Sequence, residues 1–364
     1  MNTNTTKLSE RGLSIWLDSL SRDIMQNGQL QKLMAEDSVV GVTTNPTIFN
    51  KAVSESSIYD FSGFDDAETA VKQLTTEDVR AACDIFMPVY TDTMGIDGHV
   101  SIEVDPRFAY DELETRASAE ELSRLVGREN VMIKIPATTE SLGAITDTLS
   151  KGISVNVTLI FSVNRYIEVM QAFVAGLKKA YDKGLDLRKI HSVASFFVSR
   201  IDAAVDPILT SKNSPEADAL KGRVAITECQ LAYLTHGEFF AKDEVWQRLK
   251  AAGAHPQRLL WASTGVKNNA YSPTLYVDSL AFAGTVNTMP PETLAALEKQ
   301  TNSSLYPSLP DKDVLEQRMK NLSDVGINFI EVAHKLESEG VQKFVSSWNE
   351  LLRNVSIKLG SNHQ

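Results

Sequence analysis

Val131-Met-Ile-Lys-Ile-Pro-Ala137 is the stretch on which the fold turns, because it sets one lysine in the middle of an apolar run. Two β-branched isoleucines flank Lys134, and Pro136 closes the run. A short apolar segment bounded by proline reads as a buried strand of a parallel sheet. An ammonium is costly to desolvate there, and burial in general favours the neutral form of an amine. A neutral amine at a strand end can attack a carbonyl and form a Schiff base. The strand alone leaves two readings open: a lysine that snorkels to solvent or pairs with a carboxylate, and a lysine that reacts.

Working outward, the chain repeats the pattern of short strand and helix. Strand-like runs fall at 13–18, 39–45, 99–105, 131–137, 153–160, 190–197, 258–264 and 284–289. Helical periodicity fills the intervals at 22–34, 65–93, 110–127, 141–149, 163–181 and 224–240. Thr75-Thr-Glu-Asp78 resembles a helix start, so two helices are expected within 65–93. The stretch 206–221, rich in Asp, Asn, Ser and Pro, reads as an excursion between helices. From Glu292 onward the pattern is helical only, at 314–319, 324–336 and 340–359. Eight strands each followed by helix give the count of a (β/α)8 TIM barrel, an α/β fold, with additional C-terminal helices. A doubly wound sheet would want a glycine-rich turn after an early strand, and Val42-Thr-Thr-Asn-Pro46 offers none. The expectation is one domain over 1–364, with residues 1–9 disordered and the helical region 292–359 packed on the outside of the barrel.

A chain of 364 residues can bury a large core, and no segment is long and apolar enough to cross a bilayer. A formal charge of −11 argues against a nucleic-acid partner, although a local pair of cations could still hold one phosphate. Cys83 and Cys229 lack metal-ligand spacing and read as buried free thiols, so no metal is expected. The N-terminus lacks the positive and then apolar regions of a secretory signal, which makes the cytoplasm the expected compartment. Monomer and homodimer both remain open.

In such a barrel the chemistry sits at the carboxyl ends of the strands. The polar residues near those ends are Asp18, Asn45, Glu103, Lys134, Asn156 with Thr158, Ser195, and Ser263 with Thr264. Each has a structural alternative: Asp18 as a helix cap, Asn45 as a turn former, Thr158 as an ordinary strand residue, Glu103 as a partner of Arg107 or Arg116. Recurrence at one end of successive strands favours a site. A lysine with carboxylates, amides and hydroxyls suits carbonyl–amine chemistry on a polyhydroxy chain. Arg200 and Lys267, in the loops after the sixth and seventh strands, are candidate phosphate ligands. Their alternatives are a salt bridge from Arg200 to Asp202 or Asp206, and a solvated loop charge.

These residues resemble the transaldolase family. Gly41-Val-Thr-Thr-Asn-Pro-Thr-Ile-Phe49 looks like its N-terminal signature, and the Lys134 strand looks like its Schiff-base strand. Ser154-Val-Asn-Val-Thr-Leu-Ile-Phe-Ser162 and Ser195-Phe-Phe-Val-Ser-Arg200 match two further segments in order. The Trp261-Ala-Ser-Thr-Gly-Val-Lys267 loop looks most like the longer bacterial form. The resemblance implies transfer of a dihydroxyacetone unit from sedoheptulose 7-phosphate to glyceraldehyde 3-phosphate in the pentose phosphate pathway, with no cofactor. It implies Lys134 as the imine former, Asp18 as general acid/base, and Glu103 with Thr158 as positioners of water. Asn45 and Asn156 would hold the dihydroxyacetone hydroxyls, and Ser195 and Arg200 the phosphate. Many family members carry an arginine after the serine of the seventh strand. Here Ser263, Thr264, the Gly265 amide and Lys267 are expected to replace it. Two other readings are a fructose-6-phosphate aldolase that releases free dihydroxyacetone, and a non-catalytic sugar-phosphate binder. Phe197 and Glu103 weigh against the first, and the intact lysine and carboxylates against the second.

Overall fold

The computed structural model describes residues 3–300 and 308–362. Its eight parallel strands are β1 (Ser14–Leu17), β2 (Val39–Val42), β3 (Val100–Glu103), β4 (Val131–Pro136), β5 (Val155–Ile160), β6 (Ser192–Phe197), β7 (Arg258–Ala262) and β8 (Val286–Met289). They neighbour one another in chain order, and β8 returns to pair with β1 to close the (β/α)8 barrel. Helices cover the outer face, so the strands are buried on both faces and read as nearly continuous apolar runs. The strands are shorter than their sequence runs because the polar residues at each end leave the ladder. Thr43, Thr44 and Asn45 turn out of β2 since Pro46 opens a helix, Pro46–Glu55, capped by Asn45.

Several helices depart from the sequence reading. The leader expected to be disordered is helical from Asn4 to Glu10, with Thr3 as cap and Leu8 fully buried, while Met1 and Asn2 lie outside the described residues. The Asn4 side chain anchors it by donating to the Leu297 and Gln300 carbonyls, both at 2.8 Å. The two helices expected within 65–93 are one, Ala67–Asp92. Thr75 and Thr76 do not cap anything; their hydroxyls bond back to the Val71 and Lys72 carbonyls at 2.8 Å. The single helix expected at 22–34 is instead broken into Arg22–Gln26 and Gln29–Glu36. The supposed excursion at 206–221 is mostly helix, Ser199–Lys212 followed by Pro215–Asp218. Its polar residues close and open these helices. Asn213, in the left-handed region, ends the first, and the Ser214 hydroxyl accepts from the Ala217 amide at 3.2 Å to start the second, while the Asp206 carboxylate accepts from the Gly222 amide at 3.0 Å. The segments 324–336 and 340–359 join into one helix, Phe329–Asn362. That helix does not stay on the outside of the barrel. It crosses the carboxyl-end mouth, where its Phe344 enters the central cavity.

Candidate active site

Strand register sets the core of the site. Glu103 on β3 lies opposite Lys134 on β4, Lys134 lies opposite Asn156 on β5, and Pro136 lies opposite Thr158. The Lys134 side chain is 5% exposed, and its amine donates to the Thr44 carbonyl at 3.1 Å. The amine stands 3.9 Å from the Glu103 carboxylate, an ion pair without a direct hydrogen bond, and Glu103 Oε2 has no hydrogen-bond partner. The competing partners of Glu103 are engaged elsewhere: Arg107 with Asp105 and Glu68, Arg116 with Asp147.

Burial is the main electrostatic influence on both carboxyls. It pushes Glu103 up to about 7; the Asp18 charge adds to the shift, while Lys134 and Arg200 oppose it. Asp18 is also raised, first by burial, against the lowering influence of Lys134 and of a hydrogen bond from Thr43. That bond, Thr43 Oγ1 to Asp18 Oδ1, is 2.8 Å, and Thr43 is bonded in turn to the Thr288 hydroxyl at 2.6 Å. Asn156 is held from both sides, donating to Ser101 Oγ at 3.0 Å and accepting from the Ser195 hydroxyl at 2.7 Å. The Thr158 hydroxyl is buried with no partner. Beside it, Leu159 takes a left-handed φ of 61° where the β5–β6 register shifts. For a leucine this is strain of roughly 1–2 kcal/mol, of the kind that collects at functional sites.

A cavity of about 140 Å³ opens above this layer, with Asp18, Asn45, Lys134 and Ser195 in its walls. Its rim carries Arg200, Ser263 and Lys267. Arg200 does not pair with Asp202 or Asp206, which receive the Tyr276 and Tyr271 hydroxyls at 3.0 and 2.7 Å. Its guanidinium lies against the Phe197 and Phe344 rings, 5.0 and 5.9 Å from their centroids. Ser263, itself at φ 55°, bonds the Ser199 hydroxyl at 3.1 Å. Thr264 is not brought into the cavity. Its hydroxyl donates to the Asn287 side chain at 3.0 Å and lies 3.2 Å from the Thr288 carbonyl, so it braces β8. Glu103 opens instead onto a neighbouring groove of about 1020 Å³ that Asn45 also borders.

Thr43, Thr288, Glu292 and Phe344 line the cavity and were missed in the sequence. Thr43 sits two residues before Asn45, and strand alternation could have found it. Phe344 carried no signal beyond helical periodicity. Among the described residues no cluster of three or more His, Cys, Asp or Glu could hold a metal, and no helix is long and apolar enough to cross a membrane.

The family model described as Transaldolase/Fructose-6-phosphate aldolase matches residues 15–355. A protein named Transaldolase from Arthrobacter sp. (strain FB24) is 49% identical over 370 residues, covering 99% of both chains. A Transaldolase from Mycobacterium tuberculosis is 47% identical over 368 residues, covering 98% of both, and a Transaldolase 2 from Streptomyces coelicolor is 48% identical over 366, covering 97% of this chain and 96% of its own. With a match that runs from β1 nearly to the end of the last helix, the chain belongs to the transaldolase/fructose-6-phosphate aldolase family.

Proposed function

We propose that the protein is a transaldolase that moves a dihydroxyacetone unit from sedoheptulose 7-phosphate to glyceraldehyde 3-phosphate through an imine on Lys134. The observation that carries this reading is one buried amine between two carboxyls of raised proton affinity, beneath a cationic rim.

The Lys134 amine attacks the ketose C2 carbonyl, whose oxygen takes up the proton the nitrogen gives off, with Glu103 the nearest carboxylate to relay it. Glu103, with its proton affinity near neutrality, then protonates the departing hydroxyl of the carbinolamine; water leaves and an iminium forms. Asp18 takes the proton of the C4 hydroxyl. The C3–C4 bond breaks, its electron pair passes into the iminium to give an enamine, and erythrose 4-phosphate departs. The acceptor aldehyde enters, the enamine carbon attacks it, and Asp18 returns the proton to the new hydroxyl. Water, positioned by Glu103 and the unpartnered Thr158 hydroxyl, hydrolyses the imine to release fructose 6-phosphate. Asn45 and Asn156 hold the dihydroxyacetone hydroxyls. Ser195, Arg200, Ser263 and Lys267 receive the phosphate; Thr264 serves this group only by bracing the loop. The iminium is the electron sink, so the residues need no organic cofactor for these steps.

Borohydride reduction in the presence of fructose 6-phosphate, followed by peptide mapping, tests the mechanism. A stable adduct is expected on the peptide that contains Lys134 and absent from Lys134→Met. An adduct on another lysine, or none, overturns it.

A further inference from the structure

Three cations meet where the cavity opens. Arg200 and Lys267 border it, and Lys343 stands on the last helix between Gly340 and Phe344, the two residues through which that helix meets Arg200. That helix is fixed over the mouth at two points. At Gly340 a Cβ would stand 2.9 Å from Leu159 Cδ2 and 3.5 Å from Arg200 Nη1, so helix and rim are in close contact. One turn on, the Phe344 ring faces both the Arg200 guanidinium, at 5.9 Å, and the Lys134 amine, at 5.8 Å. Lys343, between these two contacts, has its pKa lowered by partial desolvation and further by repulsion from Arg200 and Lys267.

Among the described residues, none of the three cations has a carboxylate at ion-pair distance. Asp18 and Glu103 act on Arg200 only from farther off. Like charges gathered without partners cost free energy, which a bound anion recovers. In a chain of net charge −11 this is a local inversion of sign. A phosphate monoester, with a charge near −2 and three acceptor oxygens, is matched to it.

We propose that Lys343 is a third cation of the phosphate subsite, so that the last helix selects phosphorylated over unphosphorylated sugars. The assignment rests on the reading of Lys134 as the imine former for sugar phosphates. It makes the helix part of the binding site, because the site is electrostatically incomplete without it.

Lys343 is exposed, so its replacement leaves the core intact. Lys343→Ala is expected to raise KM for fructose 6-phosphate about tenfold, the worth of one charge-assisted contact, with little change in kcat. Inhibition by inorganic phosphate should weaken by a similar factor, and Lys343→Arg should restore both. Turnover of an unphosphorylated pair, fructose with glyceraldehyde, should be unchanged. If KM and phosphate inhibition stay at wild-type values, or if the unphosphorylated pair suffers equally, the proposal is overturned. Calorimetric titration of inorganic phosphate into wild type and Lys343→Ala reads the cluster directly. Absent turnover with an intact difference in phosphate binding would therefore refute the transaldolase reading and spare this one.

Discussion

Glu103 and Lys134 sit at one level of the barrel, yet 3.9 Å leaves them short of a hydrogen bond. That spacing suits proton exchange through a substrate oxygen or water better than a permanent pair. With its carboxyl raised to about 7 by burial, Glu103 is mostly protonated below neutrality and mostly ionised above it. Dehydration of the carbinolamine needs the protonated form, so the rate of borohydride-trappable adduct formation should fall as pH rises through 7. Glu103→Gln keeps the shape and removes the titration. Its adduct formation should be slower by about 10²–10⁴, the usual worth of general acid–base catalysis, and flat across that range. Stopped trapping at a series of pH values measures both. A limb near pH 7 that persists in Glu103→Gln would assign the titration to another group.

The last helix and β5 make one mechanical unit, because Leu159, strained at φ 61°, packs against Gly340. Gly340→Ala should raise intrinsic helix propensity by about 1 kcal/mol. The added methyl nevertheless presses on Leu159 and the Arg200 guanidinium, so thermal stability should not rise and KM for fructose 6-phosphate should increase. A Tm gain with unchanged KM would show that helix and rim are not coupled. Elements of this kind mark the boundary of what the chain discloses before folding. The strands were legible because burial on both faces gives unbroken apolar runs, and Asp18, Asn45, Glu103, Lys134 and Asn156 were legible because strand ends converge in a barrel. Where Lys343 and Phe344 go was not. Helical periodicity tells which face is apolar but not which other element that face meets, and tertiary contact decided that the helix crosses the mouth. Thr264 misled for a related reason: its place beside Ser263 is visible, whereas the turn of its hydroxyl toward Asn287 depends on the left-handed backbone at Ser263.

Across the molecule, the two ends of the barrel carry opposite burdens. The carboxyl end gathers carboxyls of raised proton affinity, while the amino end packs the buried His99 and His191 and the half-buried His255 in a stack with Tyr90. Ring centroids are 5.1 Å apart from His99 to His191 and again from His191 to His255. Gly95 permits this, since a Cβ there would lie 2.5 Å from His191 Nε2. His99 Nδ1 and His191 Nε2 are buried without partners, so a proton on either has no acceptor to meet. The charged neighbours are Asp97, which favours His99 protonation, and Arg258, which opposes it; Asp97 is itself bonded to Arg258, Ser14 and Trp16. Desolvation foremost lowers His99 to about 4 and His191 to about 3, from an ordinary value of 6.5. Between those limits the unfolded chain binds protons that the folded chain refuses. Stability from these groups is therefore complete above pH 6.5 and is lost as pH falls toward 4, at up to about 1.4 kcal/mol per pH unit for each ring. His191→Phe keeps an aromatic ring in the stack and cannot be protonated. Its unfolding free energy, followed by denaturant titration from pH 7 to pH 4, should fall less steeply than that of the wild type, while kcat at pH 8 is unchanged because Lys134 lies at the other end. Equal slopes in the two proteins would move the acid sensitivity from this stack to carboxylates that hydrogen-bonded ion pairs hold below their ordinary range, such as Asp147 beside Lys179 and Arg116.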